Sequence, residues 1–404
     1  MTFEICSFCS ADGTARTLVA SPQPGIYICA NCVTLCTAVI QTEQRKSGPA
    51  SFSDLTITHT PRSIAAKLNE YIIGQDQAKK QIAVAAYNHM KRLDKSPNDT
   101  VAIKKSNILL LGPTGCGKTL FAQSLARILS LPITIGDATS MTATGYVGED
   151  VEHLITRLYI AAKNSIEMTE RGIVYVDEID KLAKRPSTTR DVGGEGVQQG
   201  LLKLVEGSEI HAPSGMGNRS QVSTVPINTA EILFIGGGAF QGLAEIIERR
   251  IRKNSGIGFG YRKTDQQALL KHVTEKDFEV YGLIPELVGR LPIVVTLDKL
   301  STEELVKTLT EPKDALVSQY VALFQKSDVE LSFSNEALYA MAEYATNIDL
   351  GARALRRVME NILLEPMFDL GDSNIKQVHV DLKMVETGLD LLPKQIDFTK
   401  SAAA

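Results

Sequence analysis

Alternating apolar runs and amphipathic stretches give this chain its plan. Ile108–Leu111, Ile133–Ile135, Ile173–Val176, Ile232–Ile235 and Ile293–Thr296 are short and almost wholly apolar, as strands buried on both faces of a parallel sheet require. Between them apolar residues recur at helical spacing: Phe121, Leu125, Ile128 and Leu129 after the first run, then Leu154, Leu158 and Ala161 within Val151–Met168, then Val197–Val205. Ile64–Leu93 reads as a helix-turn-helix around Tyr71-Ile72-Ile73-Gly74-Gln75. Beyond Leu300 the pattern is mostly helical, with Val329–Phe333 and Val378–Leu382 as strands and an amphipathic helix opening at Gly351. Lys184–Gly200 and Gly207–Thr229 read as long irregular segments. Periodicity is also lost from about Ala38 to Pro61, where Ser, Thr, Gln, Gly and Pro gather as in a flexible linker. Strands alternating with helices predict an α/β domain with a parallel sheet core, placed at residues 62–298. A cysteine-bearing module (1–48) and a linker (49–61) precede it, and a smaller, mostly helical domain (299–404) follows.

The first apolar run leads into Gly112-Pro113-Thr114-Gly115-Cys116-Gly117-Lys118-Thr119-Leu120. This fits G-x-x-x-x-G-K-[ST] in its confirming context, strand before and helix after. Backbone N–H groups wrap phosphate oxygens, Lys118 reaches the terminal phosphates and Thr119 offers a hydroxyl to Mg²⁺. The helix dipole points its positive end at the same anion. Downstream, Ile173–Val176 ends in Asp177-Glu178. A carboxylate at the end of a strand beside the phosphate-loop strand is where a nucleotide-bound Mg²⁺ needs an acidic partner. Asp177 is assigned to the metal, through its water shell, and Glu178 to polarising the water that attacks the γ-phosphate. ATP and Mg²⁺ are the expected cofactors.

Cys6-x-x-Cys9 and Cys29-x-x-Cys32 have the spacing of a four-cysteine zinc site. Four thiolates close the tetrahedron and leave no position for a reacting water, so the site is expected to be structural; two disulfides are the alternative. The chain has 404 residues, of which 44% are hydrophobic and 22% charged. No uninterrupted apolar run approaches the ~20 residues of a membrane helix, and the N-terminus lacks the basic and apolar regions of a secretory signal. The expectation is a cytoplasmic protein with no membrane span. A net charge of -4 and the absence of Trp give no reason to expect a nucleic-acid partner. Gly145-Tyr146-Val147-Gly148 and Ser255-Gly256-Ile257-Gly258-Phe259-Gly260 set large apolar residues among glycines. Taken alone, a buried turn explains the first, and a hairpin without a partner explains the second as well as a docking loop does.

Taken together, these stretches resemble the ClpX-type family of AAA+ unfoldases over nearly the whole chain. The cysteine module, Ile73-Gly74-Gln75, GPTGCGKT, GYVGED, DEIDK, RDVGGEGVQQ, the IGFG loop, LIPELVGRLP and Gly351-Ala352-Arg353 occur in that family's order. The resemblance implies an AAA+ P-loop ATPase that is not itself a protease, assembled as a homohexamer with ATP at subunit interfaces. It further implies that Arg290 is an arginine finger catalysing hydrolysis beside Lys118 and Glu178, and that Arg353 is a second nucleotide sensor. Ile72 and Ile73 would lie against adenine. Tyr146 and Val147 would form the pore loop that grips unfolded or tagged protein substrates, Ile257, Gly258 and Phe259 would dock a ClpP-type peptidase, and the zinc domain would receive adaptors. One departure stands out. Where relatives carry a basic Arg-Lys-His loop, this chain has GSEIHAPSGMGNRSQVSTVPINTAE after Glu206, and no polar first-sensor residue is evident near Ile232–Ile235.

Overall fold

The computed structural model describes residues 6–9, 18–20, 25–33, 59–94, 101, 103–142, 149–184, 194–213, 224–254, 266–370 and 375–390. The chain forms two compact units, residues 1–58 and 59–404. In the first, β1 (Leu18–Ala20) pairs antiparallel with β2 (Tyr27–Cys29). The Cys6–Cys9 turn is tied to β2 by Ser7 N–H donating to the Tyr27 carbonyl at 2.8 Å.

The second unit opens with α1 (Pro61–Asn69), one residue inside the expected linker. Thr60 caps it through a reciprocal box with Ser63, and Pro61 sits at the first helical position, where its missing N–H costs nothing. Helix α2 (Asp76–Leu93) follows. The core sheet then comprises β3 (Ile108–Leu111), β4 (Ile133–Asp137), β5 (Ile173–Asp177), β8 (Leu233–Gly238) and β9 (Ile293–Thr296). They lie in the order β9-β3-β8-β5-β4, every pair parallel. The five expected strands are all present, and Leu109, Leu111, Val174, Val176 and Phe234 are buried in one continuous cluster with the flanking helices.

The order matters more than the count. Because β8 lies between β3 and β5, its glycine-rich end sits between the turn that follows β3 and the acidic end of β5. Helix α3 (Lys118–Leu129) leaves the first of these turns.

Val151–Met168 is two helices, α4 (His153–Ala161) and α5 (Ile166–Glu170), not the single helix its spacing predicts. Lys163 and Asn164 between them adopt φ of 55° and 61°, and the Ser165 side chain accepts from Met168 N–H at 3.3 Å. Asn tolerates the left-handed conformation and Ser restarts the helix as a cap. Leu154 and Leu158 are buried, but Ala162, not Ala161, completes their face.

Helix α6 (Gly194–Glu206) is longer than Val197–Val205. The segment after it, read as irregular, contains an antiparallel hairpin of β6 (Glu209–Pro213) and β7 (Thr224–Asn228). Ile210, Ala212 and Ile227 are its buried positions, and Pro226 is tolerated because, among the described residues, the pair has no third strand.

A second hydrophobic cluster begins at Leu300 and holds Leu305, Phe324, Met341, Leu355 and Val385. Its framework is helical, and β10 (Glu330–Phe333) pairs in parallel with β11 (Gln377–Val380). The last of these strands stops short of Leu382, which starts a new helix capped by Asp381 accepting from Met384 N–H at 2.9 Å. Residues Ala352–Ile362 form the helix α7 that concerns the site.

Candidate nucleotide site and cysteine cluster

The turn after β3 is built for close approach. Gly115 and Gly117 adopt φ of 77° and 95°, and Gly117 precedes α3 as its N-cap. A Cβ on Gly117 would meet open space, whereas one on Gly115 would come 2.1 Å from the Leu350 carbonyl oxygen. The Gly115 carbonyl also accepts from Ala352 N–H at 3.2 Å. The loop therefore packs backbone to backbone against Leu350-Gly351-Ala352, at the start of α7, and Gly351 is required there by its own φ of 53°.

Around this junction lies a cavity of about 620 Å³, lined from the sheet side by Thr114, Gly115, Gly117, Lys118, Thr119, Leu120, Gln123, Asp177, Glu178, Asp180, Lys181, Gly238, Ala239 and Gln241, and from the helical side by Ala352, Arg353 and Arg356. Lys118, Thr119, Asp177, Glu178 and Arg353, named from sequence for one site, thus share one cavity. Asp177 is held at both oxygens. Thr119 hydroxyl donates to Oδ2 at 2.9 Å, while Tyr175 hydroxyl and Glu178 N–H donate to Oδ1 at 3.1 and 3.0 Å. Burial raises the Tyr175 phenol pKa well above its usual value, although Thr119 opposes the shift. Glu178 takes the left-handed conformation, φ 55°, which turns it off the strand line toward the cavity.

Lys118 Nζ is folded onto its own loop, donating to the Gly112 and Pro113 carbonyls at 2.7 and 2.8 Å. It must leave these to meet a phosphate. Cys116 is buried beneath the loop, and burial pushes its thiol pKa up against the pull of Lys118. The hydroxyl–carboxylate pair of Thr119 and Asp177 is the hard oxygen set that Mg²⁺ favours, and the four cations on the rim suit a polyphosphate. The residues fit Mg²⁺ and nucleotide.

Residues 103–294 match the AAA domain (Cdc48 subfamily), and residues 300–379 match the C-terminal, D2-small domain of ClpB protein. The chain carries an AAA+ ATPase domain. The phosphate loop, Asp177 and Glu178 of that domain meet in the cavity described.

Several expected site residues lie apart from the AAA+ cavity. Ile72 is buried and Ile73 half-buried, and neither lines it. Their neighbour Gln75 instead clamps the exit of β9, donating to the Asp298 carbonyl at 2.7 Å and accepting from Asp298 N–H at 3.0 Å. Arg290 is also outside; its guanidinium pairs with Glu206 Oε1 at 2.8 Å. Tyr146, Val147, Ile257, Gly258 and Phe259 lie outside the described residues. Asp180, Gln241 and Arg356 also line the cavity, and none of them is singled out by the sequence. Asp180 is buried and accepts from Phe240 N–H at 3.3 Å; its place in the DEID run was the available signal.

In the N-terminal unit the sulfur atoms of Cys6, Cys9, Cys29 and Cys32 all lie within 4.8 Å of one another, and all four cysteines are free. A tetrahedral Zn²⁺ with bonds of about 2.3 Å sets sulfurs about 3.8 Å apart, and Cys9 and Cys29 Sγ are at 3.6 Å. The cluster can hold such an ion. At Cys6, burial opposes ionisation, but N–H groups of Cys9, Phe8 and Cys29 outweigh it and hold the thiol down at about 6. Cys32 is pushed up to about 12, chiefly by its interaction with Cys9. Among the described residues no helix is long and apolar enough to cross a membrane.

Proposed function

We propose that this chain is a ClpX-type unfoldase and translocase of the Clp/Hsp100 kind, using ATP hydrolysis to pull protein substrates through the pore of a homohexamer. The observation that carries this reading is the backbone contact of Gly115 with Gly351 beside Arg353 in the ATP cavity. Nucleotide bound there touches the sheet domain and α7 at once, so its arrival, cleavage and loss can change the angle between the two. Arg353 is the group that senses that change. Tyr146 and Val147 would ride on the moving domain and grip the chain.

Arg290, exposed and excluded from its own cavity, is suited to act on the nucleotide of an adjacent subunit. Lys118, Mg²⁺ and Arg290 would together offset the charge of the phosphoryl transition state. Folded proteins are stable by only ~5–15 kcal/mol, so repeated pulls on a tail suffice to unfold them. Ile72 and Ile73 would lie against the adenine. Ile257, Gly258 and Phe259 would hand the chain to a ClpP-type peptidase in the cytoplasm, and a zinc-loaded cysteine module would receive substrates or adaptors. The altered segment after Glu206 argues for a substrate choice different from that of relatives with a basic entrance loop.

The test is ATP-dependent loss of fluorescence from a folded reporter with a long disordered tail, measured with ATPase rate for wild type, Glu178→Gln and Tyr146→Ala. Unfolding by wild type, lost in both variants while Tyr146→Ala still hydrolyses ATP, is the expected result. Hydrolysis without unfolding across several tails, with nucleic acid stimulating the ATPase, would overturn the proposal in favour of a nucleic-acid motor.

A further inference from the structure

Tyr175 sits in β5, fully buried, two residues before Asp177 and on the same face of the strand. A buried phenol must find a polar partner for its hydroxyl. This one finds the carboxylate on which the ATPase depends, donating to Asp177 Oδ1 at 3.1 Å. With Glu178 N–H on the same oxygen, Oδ1 is fully engaged, and Oδ2 is left facing the Thr119 hydroxyl at 2.9 Å. The neighbouring strand makes room for the phenol. A Cβ on Gly237 would lie 2.2 Å from the Tyr175 hydroxyl oxygen and 2.9 Å from the ring carbon that bears it, too close for any side chain. Thus β8 sends no side chain into this gap, and the hydroxyl of the adjacent strand occupies it.

We propose that Tyr175 is a positioning residue for the magnesium site. Its hydroxyl locks the Asp177 rotamer so that Oδ2 and the Thr119 hydroxyl face the cation together, and Gly237 is the bare strand position that permits this. Tyr175 touches neither metal nor nucleotide. Its effect is confined to how well a magnesium-bearing nucleotide is held relative to the bare one.

The full chain is tested with a fluorescent ATP analogue, measuring affinity in Mg²⁺ and in EDTA, because a packing role would change neither value selectively. A hydrogen bond to a charged group is worth enough that its loss should lower the Mg²⁺-to-EDTA affinity ratio of Tyr175→Phe about tenfold, with EDTA affinity near that of wild type. The Mg²⁺ concentration for half-maximal ATPase should rise in parallel. Gly237→Ala reaches the same hydroxyl from β8 and should lower the same ratio, which keeps the test valid if one variant folds poorly. An unchanged ratio in both variants, with melting curves showing folded protein, would overturn the assignment.

Discussion

Replacing Gly115 by alanine separates backbone strain in the phosphate loop from the contact that joins the loop to α7. At φ 77° an L residue costs about 1–2 kcal/mol. The added Cβ would also stand 2.1 Å from the Leu350 carbonyl oxygen, a backbone atom that cannot swing aside as a side chain can. The contact must open, and the hydrogen bond from Ala352 N–H to Gly115 O goes with it. That bond is worth about 1 kcal/mol, roughly fivefold in exchange rate at the Ala352 amide. Gly117→Ala is the matched control: its φ of 95° carries a comparable conformational penalty, but its Cβ points into open space. Hydrogen–deuterium exchange of a peptide spanning residues 350–357, without nucleotide, reads the difference. Gly115→Ala should exchange faster there and Gly117→Ala should match wild type. Wild-type protection in Gly115→Ala, or equal loss in both variants, would refute the coupling of the loop to α7.

Further outcomes follow from other parts of the molecule. With the Cys6 thiol held at about 6, thiolate absorbance in metal-free protein should rise as pH passes upward through about 6; Cys29→Ser, which removes one of the four clustered sulfurs, should lower the bound zinc at neutral pH. Lys105 donates to the Val205 and Thr229 carbonyls and lies over the Phe234 ring. Burial, then Arg92, lower its pKa to about 7 against the pull of Glu231. Between that value and about 10 the unfolded chain binds the proton more strongly, so stability from this residue rises with pH; in denaturant melts, wild type should gain on Lys105→Met from pH 7 to 10. If Arg290 serves an adjacent subunit, Arg290→Ala should retain nucleotide binding and lose about a thousandfold in ATPase. Mixing it with Glu178→Gln should then restore part of the rate, since each variant supplies what the other lacks; no recovery on mixing would place Arg290 elsewhere.

Much of the fold was legible because it rests on local rules. Five strands that must be buried on both faces announce themselves as apolar runs, and the phosphate loop is a contiguous motif whose glycines have a geometric reason. Asp177 was legible from its place at a strand end, and the four cysteines from their spacing. What escaped has equally local causes. The break after Ala161 depends on the left-handed Lys163 and Asn164, which helical spacing does not register. The β6–β7 hairpin was hidden because its alternation, Ile210 and Ala212 against Ile227, is short and carries prolines.

The deeper gap concerns residues that meet only through the tertiary fold. Nothing in GPTGCGKT shows that its second glycine must be bare because Leu350 arrives there, nor in Ile232–Ile235 that the glycines beyond it make room for a tyrosine on another strand. Arg290 shows the same limit from the opposite side. Its carbonyl is pinned by the buried Asn107, which donates from Nδ2 at 2.8 Å and accepts from Phe234 N–H at 3.1 Å, yet its guanidinium is exposed and, among the described residues, held only by Glu206. An exposed ion pair of that kind contributes little, about 0–1 kcal/mol. A backbone fixed to the central sheet with a cation free to exchange partners stabilises its own subunit weakly and presents charge outward. That combination supports a role at a neighbouring phosphate, and it arises from Asn107 and Glu206, two residues no motif points to.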